Sequence, residues 1–242
     1  MITLIGTGHV FDLSSALTEI FNEKLPDTIC VELDRQRYNA LIIKNTNPKE
    51  YNKSRKNVPF IYKILARFQD NMAKEYGVNA GDEMLTAIKY AQLHELPLEF
   101  LDMNAQKLFS NMLKSMSMSE KLKLLLSGVG GLFVSKKRVE SELKKIENEF
   151  DTYIEQIANK FPTIKRTLID ERNEHMAKKL VKLTEEKQKI VACVGDGHIS
   201  GISKLLDQKN INYEIIRLSE LRNRIVESDV SSASFTMEYK EP

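Results

Sequence analysis

Short runs of aliphatic and β-branched residues recur along the chain, and each is followed by a segment whose apolar residues recur every three or four positions. The first run covers residues 2–5, and the helix expected after it covers residues 14–22. Continuous apolar runs of this length are typical of strands buried on both faces, whereas the wider spacing is typical of amphipathic helices. Alternating strands and helices predict an α/β fold with a central parallel or mixed sheet.

The same patterns predict the remaining strands and helices. Strands are predicted over residues 28–33, 97–101, 190–194 and 213–218, and helices over residues 34–44, 58–76, 163–183 and 200–208. Another helix is expected to begin at Gly81, with Met84, Ile88 and Ala91 as its apolar stripe. The first and last units share the order strand, helix, strand, so the chain contains an internal repeat of one module.

Residues 105–186 show no strand pattern, which predicts an inserted all-helical subdomain. Ser117 and Glu120 have the spacing of a capping box at the start of a helix. Apolar residues from Val139 to Ile157 recur at alternating fours and threes, the spacing of a coiled-coil seam. This seam is expected to pack within a helical hairpin or to form a dimerisation arm or lid, so a homodimer through the insert is one of the alternatives.

Composition narrows the class of protein and the compartment. With 36 basic and 34 acidic residues the net charge is +2, which provides no electrostatic footprint for nucleic acid. Cys30 and Cys193 both lie in apolar runs, which indicates buried thiols in a reducing compartment. Because Met1 leads directly into the first strand and no apolar run is long enough to span a bilayer, we expect a cytoplasmic protein without a membrane span.

We expect one domain over residues 1–226, including the insert, and a polar, loosely ordered tail over residues 227–242.

Two nearly identical segments, Gly6–His9 and Gly195–His198, each lie between a predicted strand and a predicted helix. Their histidines follow the carboxyl ends of strands, where open α/β sheets place their sites. Glu32 ends the second predicted strand and reaches the same edge. Two imidazoles and a carboxylate can bind a divalent metal and leave positions open for water or substrate. The candidate ligands are therefore His9, His198 and Glu32, with the two imidazoles expected within roughly 8 Å of each other.

Two other interpretations of these residues stay open. A single histidine at a strand end is more often a hydrogen-bonded structural residue than a ligand. The Gly6–Gly8 turn, with Glu32 on the next strand, also resembles a dinucleotide-binding fingerprint. Phe11 and, in the second copy, Ser200 replace the third glycine of that fingerprint, which disfavours a nucleotide.

Spacing alone provides structural explanations for the other conspicuous polar residues. Glu83 lies in the first turn of a predicted helix, where a carboxylate complements the helix dipole. The charged cluster over residues 170–176 has the composition of a solvated helix face with paired neighbours. His94 and His175 lie in helical surroundings without partner motifs, so we assign them no function.

An ordered set of motifs over residues 1–220 resembles a known family. The matching residues are Gly6-Thr7-Gly8-His9-Val10, Val31-Glu32-Leu33-Asp34 with Arg37 and Leu41, Glu83-Met84 with Ala87 and Ala91, Glu171-Arg172 with Met176-Ala177, and Gly195-Asp196-Gly197-His198 with Gly201-Ile202. Each motif is weak alone, but their common order resembles the TraB family of pheromone-shutdown proteins. That family is related to Tiki metalloproteases, erythromycin esterases and ChaN-like haem-binding proteins.

The resemblance implies an α/β fold in which both Gly-x-x-His motifs face one site. By similarity to Tiki proteins it implies peptide hydrolysis that depends on manganese or cobalt, with zinc as a further candidate. It also adds three residues to the site: Glu83 as ligand or general base, and Arg37 or Arg172 as the group that stabilises an oxyanion. Two departures bear on activity. Many relatives have an Asp-Arg-Asp-like run where this chain has Asp102-Met103-Asn104, and their Glu-Arg-Asp motif reads Glu171-Arg172-Asn173 here.

The sequence therefore favours a divalent-metal-dependent hydrolase of the peptidase type. The alternative is a non-catalytic module that sequesters a peptide or haem between the two histidines. The two functions share the same candidate residues, so spacing does not separate them.

Overall fold

Five strands form one parallel sheet in the computed structural model, which describes residues 1–8, 12–47, 81–131, 156 and 158–225. The strands are β1 (Ile2–Thr7), β2 (Thr28–Val31), β3 (Leu98–Phe100), β4 (Ile190–Gly195) and β5 (Tyr213–Ile216). Their order across the sheet is β3-β2-β4-β1-β5, and every neighbouring pair is parallel. The α/β fold predicted from the sequence is confirmed, and its sheet is parallel rather than mixed.

Helices connect the strands and cover the sheet. They are α1 (Ser14–Lys24), α2 (Arg35–Thr46), α3 (Asp82–Leu93), α4 (Ala105–Ser115), α5 (Met118–Gly131), α6 (Pro162–Lys165), α7 (Glu171–Leu183) and α8 (Asp196–Asp207). One π-helical turn, Arg166–Asp170, joins α6 to α7. In the part of the chain that the structure describes, no helix is long and apolar enough to cross a membrane.

The sheet is buried on both faces, which explains why its strands read as continuous apolar runs rather than as an alternating pattern. Phe21 of α1 and Ile88 of α3 belong to the core on one face. Leu180 of α7 and Ile202 of α8 belong to the core on the other. Full burial of a side chain of this size contributes about 1.5–3 kcal/mol, so each helix is held to the sheet chiefly by its apolar stripe.

Most element boundaries differ from the predicted ones by one or two residues. β2 ends at Val31, two residues earlier than predicted, because the Leu33 N–H turns back to donate to the Val31 carbonyl at 2.8 Å. The helix expected over residues 58–76, the seam from Val139 to Ile157 and the tail lie outside the described residues. The division into a domain, an insert and a tail stays a prediction.

Register places the starts of the two Gly-x-Gly-His motifs on neighbouring strands. Thr7 pairs with Gly195 at the ends of β1 and β4, so the chain leaves two adjacent parallel strands at the same level. Val31 of β2 pairs with Cys193 on the other side of β4, which brings the residue after β2 to the same edge. The carboxyl edge of the three central strands therefore carries the candidate chemistry.

Candidate functional site

Glu32 lies at the centre of a buried polar cluster just beyond β2. Its Oε2 accepts a hydrogen bond of 2.6 Å from the backbone N–H of Gly195, at the end of β4. Its Oε1 accepts from Nη2 of Arg172 and lies 3.6 Å from Nε2 of His198. One carboxylate therefore connects β2 with the start of α8 and with α7.

This environment keeps Glu32 ionised. Burial alone would raise the pKa of the Glu32 carboxyl, but the positive charges of Arg172 and Arg37 and the hydrogen bond from Gly195 N–H hold that pKa below its ordinary value. At neutral pH Glu32 is thus a negatively charged group that only accepts hydrogen bonds.

His198 is buried in the first turn of α8, and Asn173 of α7 fixes its ring. The Nδ1 atom of His198 lies 2.7 Å from Oδ1 of Asn173. Since an amide oxygen only accepts, Nδ1 carries the proton and donates it to Asn173. The unprotonated Nε2 is then the atom that faces Glu32.

The imidazole is held neutral as well as oriented. Burial lowers the pKa of His198, and repulsion from Arg172 and Arg37 adds to this effect against the attraction of Glu32. A neutral imidazole whose Nδ1–H is hydrogen-bonded and whose Nε2 is unprotonated has the form that ligates metal ions.

Close contact between α7 and α8 depends on Gly201. A Cβ atom at Gly201 would lie 2.8 Å from Cγ of Asn173 and closer still to its Nδ2. Only glycine leaves room there for the amide that holds His198.

All three guanidinium nitrogens of Arg172 donate hydrogen bonds within or beside the cluster. Its Nε donates to Oδ1 of Asp102 at 2.9 Å, and its Nη2 donates to Oδ2 of Asp102 at 2.8 Å and also to Glu32. The third nitrogen, Nη1, donates at 3.3 Å to the carbonyl of Leu168, inside the π-helical turn. Because all three nitrogens are occupied, Arg172 holds the two carboxylates in place.

Arg37 lies at the same cluster but is much more accessible. Its Nη1 donates to Oδ2 of Asp102 at 2.8 Å and to the Glu32 carbonyl at 3.3 Å. Its side chain is 36% exposed, compared with 14% for Arg172. Arg37 is therefore the arginine that a bound molecule can reach.

Asp34 aligns the helices around Asp102. Its Oδ1 accepts from the backbone N–H groups of Gln36 and Arg37, which caps α2, and its Oδ2 accepts from Ala105 N–H at the start of α4. Sequence reasoning did not assign Asp34 or Asp102 to the site. The available signal was that Asp34 lies three residues beyond the end of β2 and Asp102 two residues beyond the end of β3, since carboxyl ends of parallel strands meet at one edge.

The structure brings together Glu32, His198, Arg172 and Arg37. Glu83 is buried at the start of α3, a helix that packs on the other face of the sheet from α7 and α8. Burial and the nearby charge of Glu83 raise the pKa of the Cys193 thiol, which lies two residues before Gly195 in β4.

His9 lies outside the described residues, so its distance from His198 stays a prediction. Its strand does neighbour that of His198, which is the condition for the two histidines to meet. Among the described residues, no group of three or more His, Cys, Asp or Glu side chains is arranged to hold a metal ion. Two of the three predicted ligands, His198 and Glu32, are adjacent, and their donor chemistry fits a divalent cation.

Comparison with known proteins places the chain in a family. The chain is 32% identical over 225 residues to the uncharacterized protein MJ1365 of Methanocaldococcus jannaschii, an alignment that covers 91% of this chain. It spans only 56% of the length of that relative. A model of the TraB/PrgY/gumN family matches residues 1–215. Those residues include every strand of the sheet except the last residue of β5, together with the whole Glu32 cluster, and the chain belongs to the TraB/PrgY/gumN family.

Proposed function

We propose that this protein is a divalent-metal-dependent hydrolase that acts on peptides, with His198, Glu32 and His9 as the metal ligands. The observation that supports it best is the pairing of a neutral, oriented imidazole with an ionised carboxylate. His198 Nε2 lies 3.6 Å from Glu32 Oε1, and two ligands about 2 Å from one ion have a separation of this order. Manganese or cobalt is the expected ion, with zinc as a third candidate, and the peptide substrate follows from the resemblance to Tiki proteins.

Each residue has a distinct part in the proposed reaction. A bound divalent ion would acidify its water and polarise the substrate carbonyl. Arg172 keeps Glu32 in place, and the accessible guanidinium of Arg37 stabilises negative charge on the carbonyl oxygen. Glu83 is the proposed general base, an assignment that comes from the family motif.

Metal analysis and a cleavage assay test this proposal together. Purified protein is analysed for bound metals and then incubated with a peptide library and added manganese. We expect cleavage that is lost in His9→Ala and His198→Ala and retained in His94→Ala and His175→Ala. Cleavage that survives loss of both His9 and His198, or no cleavage with any metal, would contradict the proposal.

A second function is supported by the charge balance of the cluster. Glu32 and Asp102 are each paired directly with arginine, so Arg172 and Arg37 balance these two charges without an added cation. A site already balanced in charge suits a module that sequesters a peptide or haem beside His198 without turnover. Stoichiometric binding that needs His198, with no product formed, would favour this function over hydrolysis.

A further inference from the structure

The first residue of α8, Asp196, is bonded to the chain segment that follows β5. Its Oδ1 accepts from Nε of Arg217 at 3.0 Å and from the backbone N–H of Leu218 at 2.9 Å. Its Oδ2 accepts from Nη2 of Arg217 at 2.6 Å. This bidentate geometry fixes the direction of the Asp196 carboxylate as well as its distance from Arg217.

The same carboxylate packs against the first Gly-x-Gly-His motif. A Cβ atom at Gly6 would lie 2.9 Å from Cγ of Asp196 and closer still to its Oδ1. Gly6 therefore provides the space that Asp196 occupies between the ends of β1 and β5. Through this residue the second motif contacts the strand of the first.

A simpler explanation covers only part of this arrangement. An acidic residue in the first turn of a helix complements the helix dipole, and Asp196 is the acidic residue there. That effect requires neither a bidentate arginine nor a glycine opposite the carboxylate. The contacts with Arg217 and Gly6 point to a more specific role.

We propose that Asp196, held by Arg217, is a positioning residue for His198. The first turn of α8 is bonded on one side by Glu32, which accepts from Gly195 N–H, and on the other by Asp196. His198 lies two residues beyond Asp196 in the same turn. Loss of the Arg217 side chain leaves Asp196 with the Leu218 N–H as its bond on that side, so the turn loosens and the imidazole moves relative to Glu32.

Arg217→Gln tests this role, with Arg224→Gln as the matched control. Arg224 forms a similar exposed ion pair, 2.8 Å from Glu23, but contacts α1 instead of α8. The side chains of Arg217 and Arg224 are 39% and 33% exposed, so both variants are expected to melt within a few degrees of the parent. The decisive measurement is the NMR spectrum of ring-labelled histidine, with His198 assigned from His198→Ala.

We expect the His198 ring resonances to move in Arg217→Gln and to stay in place in Arg224→Gln. Gly6→Ala, which pushes Asp196 out of its position, should move the same resonances in a folded protein. Unchanged His198 signals in Arg217→Gln, or equal changes in Arg224→Gln, would overturn the proposal.

A measurement of Mn²⁺ affinity tests the same role at the metal site, and this second test rests on the proposed function. If the parent protein binds Mn²⁺, Arg217→Gln should weaken that affinity about tenfold, as loss of an orienting group around a metal ligand does, whereas Arg224→Gln should not. If the parent binds none of Mn²⁺, Co²⁺ and Zn²⁺, the proposed function fails. The NMR comparison still decides whether Asp196 positions His198.

Discussion

At the scale of single residues, the two asparagines that depart from the family motifs have structural explanations. Asn104 caps α4, with its Oδ1 accepting from Lys107 N–H at 3.0 Å, and asparagine serves at this position as well as aspartate does. Asn173 supplies the oxygen that accepts from His198, and it does so without adding charge. Both asparagines therefore make hydrogen bonds of their own in the described structure.

Arg172 leads to the first prediction at this scale. Arg172→Met keeps most of the volume of the side chain but leaves the buried carboxylates of Glu32 and Asp102 without their shared partner. Removing one partner from a buried ion pair costs about 3–5 kcal/mol, so the free energy of unfolding should fall by that amount in urea denaturation.

Arg37→Met is the matched control, because Arg37 contacts Asp102 through one nitrogen and is half-exposed. We expect it to cost about 1 kcal/mol or less. Equal losses in the two variants would show that Arg172 is not the main partner of the carboxylates.

At the scale of helices and strands, local signals were predictable from the sequence and long-range contacts were not. The capping box is confirmed, since Ser117 N–H donates to Glu120 at 3.0 Å and Glu120 N–H donates to the Ser117 hydroxyl at 3.2 Å. The second contact of Glu120, with Thr163 at the start of α6, joins residues 43 positions apart. A sequence motif of four residues carries no information about a contact with a residue so far along the chain.

The π-helical turn was also missed, for a related reason. Apolar spacing predicted one continuous helix over residues 163–183, and a single wider turn changes that spacing too little to detect. The turn presents the Leu168 carbonyl to Arg172, and π-helical turns are frequent at functional sites. Its effect on the site was visible only in three dimensions.

Glu120 provides a pH-dependent prediction at the scale of elements. Hydrogen bonds from the Thr163 and Ser117 N–H groups outweigh the opposite effect of burial and lower the pKa of Glu120 to about 2. A carboxyl whose pKa is depressed in the folded state stabilises the protein above its ordinary pKa. That contribution is lost as the pH falls through the folded-state value.

Glu120→Ala should therefore lower the free energy of unfolding at pH 7 by about 1.5–3 kcal/mol, the range for hydrogen bonds to a charged group. Urea denaturation of parent and variant between pH 7 and pH 3 checks this, and the difference should shrink as the pH falls below about 4.5. Glu185→Ala, at an exposed site beyond α7, is the control with little effect at any pH. A difference independent of pH would indicate that lost packing, rather than the charged hydrogen bonds, explains the cost.

At the scale of the whole molecule, the order of strands decides which residues meet. The repeated strand and glycine pattern made β1 and β4 recognisable as related, but nothing in it specified that they are neighbours. Their pairing, across more than 180 residues of chain, results from packing of the whole sheet. Local patterns predicted that Glu83 lies in a helix. They did not show which face of the sheet that helix covers.

The same sheet edge leads to the last prediction, which concerns metal binding by the whole protein. An ion that binds only the folded state stabilises it by mass action, by about 2.7 kcal/mol at 100 times its dissociation constant. For a chain of this length that corresponds to an increase in melting temperature of roughly 5–10 °C. We expect thermal unfolding of the parent to show this increase on addition of Mn²⁺.

The His9→Ala and His198→Ala variants should lose most of this increase in melting temperature, whereas His94→Ala and His175→Ala should keep it. His94 stacks on Tyr90 with 4.2 Å between ring centroids, so its variant also controls for the loss of a packed histidine. If all four variants respond to Mn²⁺ as the parent does, the histidine pair is not a metal site, and sequestration of a peptide or haem becomes the better account of this edge of the sheet.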